Sequence, residues 1–290
     1  MKRIKTYDVF VYVMLTVCSL TCVVPFVLLV VSSFASEASI MRYGYSFWPK
    51  EWSLDSYRYL LGQGGQIVHA YGISIFTTVL GTVLGLAMTI SLAYVLAQKD
   101  LPGRNGLMFF VFFTMLFNGG LVPSYIMWTT VFHIKNTIWA LLFPNLMVKA
   151  FFVILARSYF QSNLPVEIQE AARIDGAGEL QIFLRIALPL ARPILATLLL
   201  FIGLSYWNDW NNGLIYLTDH SLYSIQNVLN EMIKTIQFLQ QNSTTASAVT
   251  LPSNGVRMAI AVVATFPVLV AYPFLQKGFV RGIVMGGVKG

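Results

Sequence analysis

The chain has 290 residues, of which 57% belong to the apolar set AVILMFWYC and only 11% are charged, and its mean hydropathy is +0.68. Soluble chains run at about 45–50% apolar and about 25% charged, and disorder needs low hydrophobicity with high charge, so both classes are excluded in favour of a polytopic membrane protein. The formal charge of +7 does not indicate nucleic acid, because the basic residues form no run or patch and instead flank apolar segments.

A membrane-spanning helix needs about 20 mostly apolar residues. Six segments meet that requirement, and they predict an all-α membrane protein of six transmembrane helices. The first, 9–34, follows Lys2, Arg3 and Lys5 and has an apolar core longer than that of a cleaved signal, so it reads as a retained anchor. Cys18 and Cys22 lie four residues apart on one face of it and read as small packing residues rather than a disulfide. The second segment is 71–97, without a charge. The third, 106–128, is interrupted near Asn118, Gly119 and Gly120. The fourth is 137–160, the fifth 193–217 and the sixth 256–276.

Orientation follows from the lysines and arginines, which concentrate on cytoplasmic segments. With the N-terminus inside, twelve of the 19 fall on inner segments, six on outer segments, and Lys149 within the fourth span. Both termini are therefore expected in the cytoplasm.

The inner segment 161–192 differs from the rest of the chain. It carries Glu167, Glu170, Arg173, Asp175, Glu179, Arg185 and Arg192. Asn163-Leu164-Pro165 starts a helix, with proline tolerated in the first turn and two glutamates near the positive end of the helix dipole. Gly176 and Gly178 end that helix and turn the chain. A second helical stretch, 179–187, follows, and Pro189 and Pro193 lead into the fifth span. Ala171 and Ala172 leave the first helix poor in side chains, so another protein's groove can approach closely there.

The same loop reads Glu170-Ala171-Ala172, three residues, Gly176, nine residues, Ile186, one residue, Leu188-Pro189. In this it resembles the cytoplasmic signature of binding-protein-dependent ABC importer permeases, at every defined position over twenty residues. The resemblance implies a type I ABC importer permease fold, forming one transmembrane permease domain over 1–290 in a bacterial cytoplasmic membrane. It also implies that the loop docks on an ATP-hydrolysing subunit. Coupling roles then fall on Glu170, Ala171, Ala172, Asp175, Gly176, Ile186, Leu188 and Pro189. The implied partners are a second, homologous permease chain, two ATPase subunits that bind ATP and magnesium, an extracytoplasmic sugar-binding protein and membrane lipid. No cofactor, metal or nucleic acid is implied for this chain.

Further stretches are similar to the carbohydrate branch, in the group containing the smaller permease of the maltose transporter. These are Gly120-Leu121-Val122-Pro123-Ser124-Tyr125 followed by Asn136-Thr137, then Tyr206-Trp207-Asn208-Asp209-Trp210, and the ending Tyr272-Pro273-Phe274-Leu275-Gln276-Lys277 with Gly286-Gly287-Val288-Lys289-Gly290. They imply import of an oligosaccharide; a permease for a non-sugar solute is the alternative.

Polar residues inside a span usually face a bundle interior or a water-filled path. The fifth span holds Trp207, Asn208, Asp209, Trp210, Asn211 and Asn212. Sugars are held by hydrogen bonds to hydroxyls and by aromatic faces, so Trp207, Asn208, Trp210 and Asn211 are candidates for the substrate path. An interfacial aromatic belt is the other reading. Asp209 is expected to pair with a basic group. Lys149, beside Asn145, is the remaining anomaly. It can reach an interface, pair with an acid such as Asp209, or contact an anionic substrate such as a uronate-containing oligosaccharide.

His69, His133 and His220 are scattered over outer segments and form no metal constellation. No phosphate-binding loop and no G-x-S-x-G motif occurs, so no catalytic residue is assigned. The outer segments, 35–70 and 218–255, are large for connectors and read either as a binding-protein platform or as a plain lid. An ion-coupled secondary transporter would not need the signature loop. A membrane-embedded enzyme would need acids or metal ligands at one membrane face.

Overall fold

A computed structural model gives the structure, which describes residues 6–62, 64–242 and 253–287. Lys2, Arg3, Lys5, the polar stretch 243–250 and Lys289 lie outside those ranges. Among the described residues all regular structure is helical, with one isolated antiparallel bridge between Ala35 and Trp52. In chain order the helices are α1 (Thr6–Ser33), α2 (Glu37–Tyr43), α3 (Asp55–Gly62), α4 (Gly64–Ala97), α5 (Arg104–Leu116) and α6 (Leu121–Ile126), the last continued by a π-turn at Met127–Val131. Then come α7 (Trp139–Leu142), α8 (Ala150–Asn163), α9 (Val166–Ile174) and α10 (Glu179–Ile182), which a second π-turn at Phe183–Ala187 joins to α11 (Leu188–Leu190). The last are α12 (Arg192–Trp207), α13 (Asn211–Tyr216), α14 (Ile225–Asn242) and α15 (Ser253–Gly287). The glycine-rich ending is therefore helical as far as Gly287.

The chain forms two compact units. One comprises Met1–Ile67 and Leu229–Pro267, the other Val68–Val228 and Val268–Gly290. In the first, α1 buries none of its apolar window among the described residues. The Tyr57 and Ser33 hydroxyls share a hydrogen bond of 2.7 Å, and the Phe34 and Tyr57 rings stack at 4.8 Å. The Glu37 carboxylate accepts from the backbone N–H of Asn254 (3.1 Å) and Gly255 (3.1 Å) and from Asn254 Nδ2 (2.8 Å). A carboxylate at the first turn of α15 satisfies donors that the helix itself cannot, and it complements the dipole.

The second unit shows how a membrane helix packs without a hydrophobic force between helices. Within a bilayer, association depends on close van der Waals approach and on polar contacts, which favours small residues at interfaces. The buried face of α4 is small in this way: Ala70, Ser74, Thr77, Gly81, Gly85, Thr89 and Ala93 recur at three- or four-residue intervals. Its exposed face carries Ile75, Phe76, Val79, Val83, Met88 and Val95. At Gly81 the aromatic ring of Tyr206 fills the space a Cβ would need, and at Gly85 the Met147 carbonyl comes to 3.0 Å of that position. Around Ile90, Tyr94, Leu142, Val153, Phe160, Leu198 and Ile202 a core forms from α4, α8 and α12.

The six expected segments do not all take the form of single long helices among the described residues. Three helices are long and apolar enough to cross a membrane: Val9–Ser33, Gly64–Ala97 and Asn254–Pro273. Two bent pairs, Arg104–Leu116 with Leu121–Val131 (113°) and Glu179–Leu190 with Arg192–Trp207 (81°), bring the number to five if each pair is one span. The fourth apolar segment is not one helix. It is divided into the four residues of α7 and the fourteen of α8 by the non-helical stretch 143–149. Pro144 there has no N–H to give, and Asn145 adopts a left-handed φ of 59°. The fifth segment stops at Trp207 and resumes at Asn211.

Candidate functional site

Two regions of the second unit concentrate the polar groups. The first is the loop 161–192. Pro165 precedes α9 with φ −62° and ψ 134°, an extended entry to the helix rather than its first turn. At the far end the Ala177 N–H reaches the Ala172 carbonyl (2.9 Å) and the Gly176 N–H reaches that of Arg173 (3.0 Å), with Gly176 at φ +83°. This is the left-handed helix stop for which glycine is suited. Arg173 Nε donates to Glu179 Oε1 at 2.7 Å, tying α9 to α10 across the turn. That bond holds the guanidinium more firmly protonated than usual. The loop is thus a braced two-helix element.

The signature residues divide between two environments. Glu170, Ala171, Asp175, Gly176 and Pro189 are exposed, and Ala172 is buried. Ile186 and Leu188 pack against the core. Two residues not anticipated from the sequence stand out, Ile174 at 87% and Leu180 at 69% exposure. Both are large apolar side chains left to the outside on a charged loop. The signal was present, as an apolar residue inside the motif's variable positions. Beside α9 lies a cavity of about 570 Å³ bounded by Lys99, Asp100, Arg104, Gln161, Gln169 and Arg173.

The second region is the junction of the broken helices. The stretch 143–149 faces the break at 208–210, and side chains cross between them. Tyr206 Oη donates to the Leu142 carbonyl (2.9 Å), Asn212 Nδ2 to the Pro144 carbonyl (2.9 Å), and Lys149 Nζ to Ser205 Oγ (3.0 Å). Asn227 Nδ2 donates to the Trp210 carbonyl (2.7 Å), and Ser74 Oγ accepts from the Ile225 N–H (2.8 Å). The bonds from Tyr206, Asn212 and Asn227 satisfy backbone carbonyls at the interruptions, Ser74 takes the first N–H of α14, and the Lys149–Ser205 bond joins two side chains. At membrane depth such breaks are tolerated only where protein or a water-filled cavity surrounds them. A related brace sits further out. Asn136 Oδ1 accepts from the N–H of Thr218 (2.6 Å) and Asp219 (3.2 Å), and its Nδ2 donates to Thr218 Oγ1 (2.8 Å).

Asn145, Asn208, Trp210 and Asn211 are exposed, and Lys149 is half-buried. Trp207 is only 7% exposed, with its ring 6.2 Å from that of Tyr71, so it packs rather than presents a face. Of the readings open for Lys149, a direct ion pair with Asp209 is absent: no acid lies within 4 Å of it among the described residues, Ser205 takes the ammonium, and Asp209 interacts with it only at longer range. Asp209 Oδ1 accepts from the Asn212 N–H (3.4 Å), while its Oδ2 is buried without a hydrogen-bond partner. Ser205 and Asn227 carry no signal in the sequence, and Asn212 stands out there only as part of the polar run 207–212. Serine and asparagine carry no local mark of a contact 50 or more residues away.

Apolar helices interrupted at facing points, with the released backbone satisfied by polar side chains, define a class: a multi-pass membrane transport subunit. The chain belongs to the family of binding-protein-dependent transport system inner membrane components, which matches residues 81–285. Protein LplC of Bacillus subtilis (strain 168) is 38% identical to it, over 92% of this chain and 90% of that one. The polygalacturonan/rhamnogalacturonan transport system permease protein YtcP of the same organism is 37% identical over 99% of both chains. A solved bacterial ABC transporter involved in the import of the acidic polysaccharide alginate contains a chain that superposes with a TM-score of 0.77. That chain is 28% identical, and the match covers 96% of this chain and 98% of the other.

Proposed function

We propose that the chain is one of two homologous permease chains in an ATP-driven oligosaccharide importer of a bacterial cytoplasmic membrane. Membership of the family and the sugar-transport names of its relatives support a permease component of a sugar importer. The finer reading adds a single transmembrane domain that crosses the membrane six times, with both termini in the cytoplasm and the fourth and fifth passes each made of a broken helix. The partner ATPases bind ATP and magnesium; this chain contributes half of the path and no catalytic group. An extracytoplasmic protein delivers the sugar.

The observation that carries the coupling role is the braced loop with its exposed Ile174 and Leu180. A rigid element with an apolar tip passes on a displacement of the ATPase as a rigid-body movement, which a flexible loop would dissipate. Glu170, Ala171, Asp175 and Gly176 form the face toward the ATPase. Ala172, Ile186 and Leu188 join the loop to the core, and Pro189 starts the return to the membrane. At the junction, Asn145, Lys149, Asn208, Trp210 and Asn211 line the path, with Trp207 behind them.

The test is co-purification with the partner chains followed by ATPase assays over a panel of oligosaccharides. Stimulation of ATP hydrolysis by at least one loaded binding protein is expected. A Glu170→Lys, Gly176→Pro variant should insert in the membrane yet lose the ATPase or its stimulation. Normal sugar uptake by that variant would defeat the assignment.

A further inference from the structure

Lys149 is held in a way that suits a guest better than a brace. It caps α8 at the end of the unwound stretch, with φ −105° and ψ 123°. Its Nζ donates to Ser205 Oγ at 3.0 Å, and Ser205 in turn donates to the Phe201 carbonyl at 2.9 Å. That chain of two bonds orients a serine lone pair at the ammonium and uses one of its three donor hydrogens. The Phe152 ring lies 5.9 Å away and adds a weak attraction. No carboxylate lies within 4 Å among the described residues. A lysine kept inside a bundle for structure alone is normally compensated by an acid. Here the direct partner is a neutral hydroxyl, and Asp209 acts on the ammonium only through its field from a longer distance. Asp209, one turn past Ser205, instead takes the Asn212 N–H.

We infer that Lys149 is a specificity residue for carboxylate groups, and that the substrate is an acidic oligosaccharide of uronate units. The inference rests on the reading of the chain as a sugar-importing permease. The chemistry of the junction fits such a ligand in each part. A carboxylate takes the free ammonium hydrogens, hydroxyls take the exposed amide of Asn145, and the apolar face of the ring meets the exposed Trp210. A neutral sugar offers the ammonium only hydroxyls and adds no opposite charge beyond the more distant Asp209. An acidic polysaccharide is also what the solved relative imports.

The experiment uses the complete complex, with both permease chains, the ATPases and the binding protein, in proteoliposomes. Uptake of radiolabelled oligogalacturonates and of neutral oligosaccharides of matched length is measured for the unaltered complex, Lys149→Met and Lys149→Arg. The unaltered complex should take up the acidic series. Lys149→Met should lower kcat/KM for it roughly 10- to 100-fold, the loss of one charge-assisted hydrogen bond, and Lys149→Arg should retain most of it. Any neutral sugar that is also accepted should be nearly unaffected. Uptake of neutral sugars alone, an unchanged rate for oligogalacturonate in Lys149→Met, or an equal loss for both classes would each overturn the inference. Failure of the unaltered complex to take up any saccharide would instead overturn the sugar-import reading itself.

Discussion

Gly81 and Tyr206 offer the sharpest test of how the junction is held. A methyl group at position 81 would lie 2.7 Å from Tyr206 Cε2 and closer still to its Cζ, a distance at which the ring must move. Tyr206 is 4% exposed, and its hydroxyl donates to the carbonyl of Leu142, which is fully buried. Overpacking of this kind costs about 1–3 kcal/mol. Moving the ring also leaves the Leu142 carbonyl unpaired, for about 1–3 kcal/mol more. Alanine's better helix propensity returns about 1 kcal/mol. Gly81→Ala should therefore destabilise by roughly 1–5 kcal/mol, or on the order of 2–20 °C in Tm. Thermal unfolding of the purified complex in nanodiscs, followed by tryptophan fluorescence, reads this directly. Tyr206→Ala alone should cost about 3–5 kcal/mol. In that background Gly81→Ala should cost nothing and gain up to about 1 kcal/mol, because the ring is gone. If Gly81→Ala cost the same in both backgrounds, the contact would not be what makes glycine necessary.

Two further predictions concern the ends of helices. Nothing stands within 4 Å of a Cβ placed at Gly176, whose φ is +83°, so Gly176→Ala should act through backbone strain alone, about 1–2 kcal/mol. Sugar-stimulated ATPase activity should fall in Gly176→Ala and be better preserved in Gly176→Asn, since asparagine tolerates the left-handed region; indistinguishable variants would count against the turn geometry. Glu37→Ala removes the acceptor of the first-turn donors of α15 and should cost about 1–2 kcal/mol. Hydrogen exchange at the amides of Asn254 and Gly255 should speed up in that variant, with Glu37→Gln in between, and unchanged protection would remove the capping role.

Much of the coupling loop was legible in the sequence because its determinants are local. Gly176 stops α9 through its own left-handed φ and its bond to the Arg173 carbonyl, with Ala177 bonding five positions back to Ala172. The 179–187 stretch was anticipated as a helix and is one, with its second half drawn into a π-turn. Which faces of that loop look outward was not legible, since Ala171 and Ala172 are chemically alike and only packing buries the second. The junction was read in outline only. The polar run 207–212 was conspicuous in an apolar span, but the interruption at 143–149 was hidden, because a proline and an asparagine in an apolar stretch are compatible with a kinked helix as well as a broken one.

Composition, charge placement and the signature loop by themselves determined that this is an apolar helical membrane chain of the importer-permease family, with its signature element between 161 and 192. These are properties of a residue or of its near neighbours, and they need no fold to be expressed. Only the tertiary structure decided where the helices break and what holds the breaks open. The bonds responsible run from Tyr206 to the Leu142 carbonyl and from Asn212 to the Pro144 carbonyl. A backbone group freed at membrane depth is costly unless a partner is brought to it. Those partners stand more than sixty residues away along the chain, so only the folded arrangement that sets α12 and α13 against the stretch after α7 supplies them.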